Sequence, residues 1–167
     1  TLKNPIELDL SNCGLSVNGV NPVAKAISAG AINLLTLGST GNMRDQKTYT
    51  LTAGEEKIDL SQKNLGSADV TLLAAWLQRP EVITRSSRPT PATSVVLDGN
   101  ELSGTKISNK GAPWEQIQQL DADLSGFTDF CSSLKSSTVV SLSLRKCYLG
   151  PQGLDLLADA IKLMAAL

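Results

Sequence analysis

Apolar positions in this chain recur as a short motif rather than at one even spacing. Two aliphatic residues flank a single outward position, a few turn-forming residues follow, and another Leu closes the unit. Three segments share an Asp-Leu-Ser core: Leu8-Asp9-Leu10-Ser11-Asn12-Cys13-Gly14-Leu15, Ile58-Asp59-Leu60-Ser61-Gln62-Lys63-Asn64-Leu65, and the weaker Ala122-Asp123-Leu124-Ser125-Gly126-Phe127. Two more, Val95 to Leu102 and Leu142 to Leu149, carry the same apolar spacing, and Leu35-Thr36-Leu37-Gly38-Ser39-Thr40 keeps only its first half. The central leucines Leu10, Leu37, Leu60, Leu97, Leu124 and Leu144 stand 27, 23, 37, 27 and 20 residues apart. An L-x-L pair at period two places both leucines on one face of a strand and the residue between them on the other. Six short strands are therefore expected, one per unit.

The returns between units follow from their breakers. Asn21 before Pro22 reads as a helix cap with Pro in the first turn, and Gly30 as the stop, which predicts a helix over 22–29. A second helix is expected from about Ser67 to Gln78, with Val70, Leu73, Ala74 and Leu77 on one face and Pro80 after its end. Pro151 opens a third, with Leu154, Leu157, Ala158 and Ile161 expected to face inward, and residues 127–134 suit a short fourth. Two stretches depart. The alternation Thr48-Tyr49-Thr50-Leu51-Thr52 within residues 44–54 predicts an extended strand or hairpin, and residues 79–93, rich in Arg, Ser, Thr and Pro, predict an exposed loop.

These units resemble the leucine-rich-repeat family, whose L-x-x-L-x-L-x-x-N/C-x-L signature is met from its fourth position onward in the first, Val95 and Leu142 segments. The helical returns and the tail Leu149-Gly150-Pro151-Gln152-Gly153-Leu154 are similar to its ribonuclease-inhibitor-like class. The resemblance implies an α/β solenoid, a horseshoe arc with about six parallel strands on the concave side and helices plus one extended insertion on the convex side. It implies a single array over 1–167, as part of a longer chain. Cys13, Asn100 and Cys147 then fall at the turn position whose side chain satisfies buried backbone. The strand face turned to solvent becomes the binding surface. Its charged positions, Glu7, Asp9, Lys57, Asp59, Asp98, Asp121, Asp123 and Arg145, are six acids and two bases. One reading is a docking stripe for a basic protein surface; the other is a solvated face kept polar against sheet stacking.

Composition narrows the chemistry. The 167 residues include no His, which removes His-based triads, His general bases and most zinc sites. Net charge is −1, so no overall field draws in nucleic acid. No apolar run is long enough to span a membrane. Only 4% of residues are aromatic, so the core must be aliphatic. Asp121 with Asp123, and Asp9 with Asp59, raise a glycosidase or metal site, but neither pair is framed by a cleft or an oxygen cage in the sequence pattern. Gly38-Ser39-Thr40-Gly41 lacks the spacing and Lys of a phosphate loop. Hence no catalytic, cofactor-binding or metal-binding residue is expected.

Under the repeat register, Cys13 and Cys147 would lie on the order of 24 Å apart, beyond disulfide reach, and Cys131 is expected in the core. Three unpaired thiols suit a reducing intracellular compartment. Trp76 is expected between helices and Trp114 on the surface. The function expected is a non-catalytic protein-protein interaction scaffold, a subunit or peripheral part of a larger assembly; the alternative is a regulator of an enzyme or small GTPase. The apolar C-terminal segment, without a polar cap, is expected to offer a second contact at that end.

Overall fold

The computed structural model describes residues 6–15, 17–30, 32–80 and 91–165. In chain order the elements are β1 (Ile6–Leu10), α1 (Val17–Ser28), β2 (Ile32–Gly38), a 3-10 turn at Met43–Asp45, β3 (Thr48–Thr52), β4 (Lys57–Asp59), α2 (Ser67–Gln78), β5 (Ser94–Val96), β6 (Lys106–Ser108), β7 (Gln116–Gln119), α3 (Ser125–Leu134), β8 (Ser141–Ser143) and α4 (Pro151–Ala165). Most of the loop expected over 79–93, including Arg85 to Pro89, lies outside the described residues, as do residues 166–167 at the C-terminal end.

The strands form three small sheets. In the first, β1 runs parallel to β2, with Leu8 opposite Leu35 and Leu10 opposite Leu37, and β3 runs antiparallel on the other edge of β2. In the second, β4, β5 and β8 are all parallel, with Ile58, Val95 and Leu142 in one row. The third is the antiparallel pair β6–β7, where Ile107 faces Ile117.

This arrangement corrects the expected horseshoe. Among the described residues there is no six-stranded parallel sheet, solenoid or closed arc. Two local events prevent it. Folding of β3 against β2 uses the edge on which a third parallel strand would have joined, because the alternating Tyr49 and Leu51 bury their side chains when β3 pairs there. Leu124, expected at the centre of a strand, is instead the N-cap residue of α3, its backbone turned out of the extended region (φ −93°, ψ −1°). Residues 106–119 pair with each other, so β5 finds β8 as its neighbour.

One aliphatic cluster joins the layers. Leu35, Leu37 and Leu51 from the first sheet, Ile58 and Val95 from the second, and Val70, Leu72, Leu73 and Trp76 from α2 are all buried within it. The helices pack in sequence order, α1 on α2, α2 on α3 and α3 on α4. Gly126 makes the second of these contacts possible, since a Cβ there would collide with the backbone oxygen of Ser67. Helix α2 covers the range its apolar spacing predicts. Helix α1 begins earlier than Pro22, which sits inside it, and Gly30 closes it with φ +72°. Burial on α4 also differs from expectation: Gly153 and Ala160 are buried and Leu157 half-buried, whereas Leu154, Ala158 and Ile161 are exposed.

Candidate docking surface

The expected acidic face is divided by the fold. Glu7 and Asp9 stand exposed on β1, and Asp59 stands exposed at the end of β4. Each Asp closes its own turn: Asp9 Oδ1 accepts the Ser11 N–H at 2.8 Å, and Asp59 Oδ1 accepts the Ser61 N–H at 3.1 Å and its hydroxyl at 2.7 Å. The Ser11 and Ser61 bonds hold both carboxyls below the usual carboxylate range. Asp59 also meets Lys57 at 3.4 Å. Asp98 accepts the Ser143 hydroxyl at 2.7 Å and the Arg145 N–H at 2.8 Å, so it stitches β5 to β8 across their exits. Arg145 itself is exposed.

Asp121 and Asp123 do other work than a strand face would give them. Asp121, with φ +51°, receives the N–H groups of Gly150 at 2.8 Å and Gly153 at 3.0 Å, and so caps the start of α4 from a distant loop. Burial pushes its carboxyl up, but the Gly153 and Gly150 bonds outweigh burial and hold it low. Asp123 Oδ1 accepts the Ser125 hydroxyl at 2.6 Å and its N–H at 3.1 Å, which opens α3; the Ser125 hydroxyl bond lowers its pKa.

The turn residues diverge as well. Asn100 is fully buried, donates to the carbonyls of Leu60 and Leu97 at 2.8 Å each, and accepts the Leu65 N–H at 3.0 Å. Its amide thus ties the exits of β4 and β5 together. Cys147 is also buried, its Sγ 3.2 Å from the Leu97 carbonyl. Cys13, at the corresponding place after β1, is exposed. All three cysteines are free. Burial pushes the thiols of Cys131 and Cys147 up to about 11, which leaves them almost wholly protonated and poor nucleophiles near neutral pH.

Sequence reasoning missed Asp69. This buried carboxylate on α2 accepts from the Thr40 N–H (2.7 Å), the Thr40 hydroxyl (2.8 Å), the Gly66 N–H (2.8 Å) and the Tyr49 hydroxyl (3.0 Å). Burial raises its pKa against those four bonds, and burial beside Asp69 raises the Tyr49 phenol. The third position of a helix is a common place for an acid, but nothing in the local pattern announces that Thr40 and Tyr49 will converge on it. With every polar atom of the cage partnered, Asp69 joins the first sheet to α2 rather than presenting a reactive group.

The β6–β7 hairpin carries one of the open apolar surfaces among the described residues. Trp114 is 66% exposed, Ile117 50% and Leu120 40%, and every residue of β7 is exposed. The hairpin is nevertheless held in place. Glu115 accepts the Gly111 N–H at 2.7 Å and the Tyr148 hydroxyl at 2.9 Å, and Lys110 pairs with Glu101 at 2.7 Å. The Gly111 and Tyr148 bonds lower the Glu115 pKa, and the Glu115 carboxylate raises that of the Tyr148 phenol. Two clefts flank it. One of about 450 Å³ is lined by Gly66, Ser67, Lys106 and Ile107 among others. The other, about 370 Å³, is lined by Asp45, Lys47, Lys110, Lys146, Glu115 and Tyr148 among others. Trp76, by contrast, is buried beneath the Arg79 guanidinium, 3.9 Å from its ring centre.

Among the described residues, no group of three or more Cys, Asp or Glu side chains is placed to hold a metal ion, and no helix is long and apolar enough to cross a membrane. No protein-family model matches the chain, and neither a curated protein nor a solved structure matches it.

Proposed function

We propose that this protein is a non-catalytic interaction module that docks a protein partner on the β6–β7 hairpin. The observation that carries the reading is the exposed Trp114, Ile117 and Leu120 on a hairpin anchored at its turn by the Glu115–Tyr148 hydrogen bond. Large apolar side chains on a fixed frame contribute most of the affinity in protein interfaces, with Trp prominent among them. Their desolvation favours binding at little ordering cost, because the frame is already formed. Gln116, Gln118 and Gln119 supply a polar rim, and Lys106 and Lys110 are balanced by Glu101 and Glu115. The partner this suits presents an apolar pocket bordered by uncharged polar groups. Nucleic acid suits it less, at a net charge of −1. Three free thiols suit a reducing, intracellular setting.

The test places a photo-crosslinking residue at position 117 and exposes the protein to native extract. A discrete adduct is expected, lost with Trp114→Ala and absent when the crosslinker sits at the exposed Lys135. Equal labelling from positions 117 and 135, or an adduct indifferent to Trp114→Ala, overturns the reading. Intrinsic hydrolytic turnover by the purified protein would also count against it.

A further inference from the structure

The apolar positions of the hairpin are self-complementary. Trp114, Ile117 and Leu120 are exposed and evenly spaced, Trp114 three residues before Ile117 and Leu120 three residues after it. In a regular strand, residues three apart fall on opposite faces. An irregularity in β7 changes that. Ile107 lies opposite Ile117 but Lys106 lies opposite Gln119, so Gln118 is an extra residue in β7 and the alternation resets after it. Ile117 and Leu120 thereby fall on the same face as Ile107, and Trp114 stands at the turn end of the same hairpin.

A two-fold axis through Ile117 would lay this pattern on itself. An isologous contact pairs residue i with j and j with i, so positions equidistant from the axis meet. Ile117 meets its own copy, Trp114 meets Leu120 of the other molecule, and Gln116 meets Gln118. Residues 116–120 are uncharged, so no like charges are opposed along the strand. Glu115 meets Gln119, beside which β6 holds Lys106. Lys106 forms no ion pair of its own among the described residues, and the two-fold supplies it with a carboxylate.

The larger cleft points to the same occupant. About 450 Å³ in volume, it is lined by apolar Leu65, Ala68 and Ile107 and by uncharged polar Ser67, Thr105 and Gln118, among others. Its two acids are already engaged, Glu101 by Lys110 at 2.7 Å and Asp123 by the Ser125 hydroxyl at 2.6 Å. An apolar pocket with an uncharged polar border is what the exposed hairpin suits, and this chain carries both. Lys106 and Gln118 belong to the lining, so the cleft opens beside the Leu120 end of the hairpin, where the two-fold brings the other copy's Trp114.

We infer that the hairpin's partner is a second copy of this chain. Two molecules join about a two-fold axis through Ile117, each seating Trp114 against the Leu120 and the cleft of the other. The inference rests on the docking reading above and narrows its partner. Because the same patch is used on both molecules, the contact is closed and association stops at two.

Sedimentation velocity of the purified whole chain, from micromolar to millimolar concentration, tests this. The weight-average mass should rise to that of two chains and no further, and Trp114→Ala should weaken association at least about tenfold, as removal of a central aromatic anchor does. Position 117 tests the axis itself, because there each copy meets its own residue. Ile117→Lys and Ile117→Glu should each be monomeric with an unchanged circular dichroism spectrum, and an equal mixture of the two should dimerise. A mixture that stays monomeric, either variant dimerising alone, or a mass that climbs past two chains overturns the inference. Should either variant lose its folded spectrum, Trp114→Ala decides, and a dimer as strong as that of the wild type overturns the inference. A monomeric wild type overturns it as well. The docking reading then still stands where the crosslinker at position 117 captures a different protein from extract and Trp114→Ala abolishes that adduct; equal labelling from positions 117 and 135 overturns both.

Discussion

The parallel sheet β4–β5–β8 and the hairpin β6–β7 come from neighbouring stretches of chain and treat their polar groups in opposite ways. In the sheet, Asn100 takes two carbonyls and one N–H out of solvent, and Leu97 and Val95 beside it are fully buried. In the hairpin, every side chain of β7 faces solvent and the only half-buried apolar pair partner is Ile107. The difference lies in what stands opposite each strand. A parallel ladder between distant segments brings a helix over its inner face, whereas a hairpin closed on itself can form with neither face covered. Stability should therefore concentrate in the sheet and interaction capacity in the hairpin.

Breaking that contrast from the sheet side should have the largest effect. Asn100→Leu leaves the Leu60 carbonyl and the Leu65 N–H buried without their partner, at about 3 kcal/mol or more, measured as a lowered urea midpoint. The corresponding change after β1, Cys13→Ala, should leave the midpoint almost unmoved. Gly126→Ala, where a Cβ meets the Ser67 backbone, should cost about 2 kcal/mol through forced separation of α2 and α3.

A smaller effect should appear with pH. Asp121, Asp123, Asp59, Asp9 and Glu115 all have carboxyls held below their ordinary values. A carboxyl depressed in the folded state contributes stability above its unfolded value, and that contribution is lost as pH falls through the folded one. The protein should thus lose stability below about pH 4, the ordinary carboxylate value. Asp69 runs the other way: raised by burial, it opposes folding while ionised and relaxes that opposition as pH falls through its folded value. Asp121→Asn should lower stability at pH 7 by about 1 kcal/mol and flatten the acid limb of a denaturation series, while Asp69→Asn should steepen it.

The smallest effect belongs to the hairpin. Trp114→Ala should change the urea midpoint by no more than about 0.5 kcal/mol, yet remove the exposed, quenchable part of the tryptophan fluorescence and leave that of Trp76. A large stability loss from Trp114→Ala would erase the contrast between the two regions. Thiol titration offers a further check on burial, with Cys13 reacting quickly and Cys131 and Cys147 only on unfolding.

What the chain determines by itself is local. Period two makes Leu8 and Leu10, or Ile58 and Leu60, face one way; apolar positions three and four apart make α2; Pro151 starts α4; and a left-handed residue stops α1 at Gly30. The turn role of Asn100 follows from the repeat resemblance alone, since its neighbours Asp98, Gly99 and Glu101 are themselves polar or glycine. These outcomes depend on neighbours within a few residues, which the sequence lists in order.

Tertiary structure alone decided the pairings. Which strand the extended 48–52 segment would pair with, whether Leu124 would extend or coil, and which flank of α4 would turn inward all depended on surfaces brought from elsewhere. Asp123 shares the Asp-Leu-Ser setting of Asp9 and Asp59, yet it opens α3, and Asp121 two residues before it caps a helix that begins some 30 residues later. Glu115 and Tyr148, Asp69 and Thr40, and Ser67 and Gly126 meet only after the chain has closed on itself. The energy of a strand edge is nearly the same for several partners, so small differences in side-chain burial chose β3 for β2 and β8 for β5. No local pattern encodes that choice.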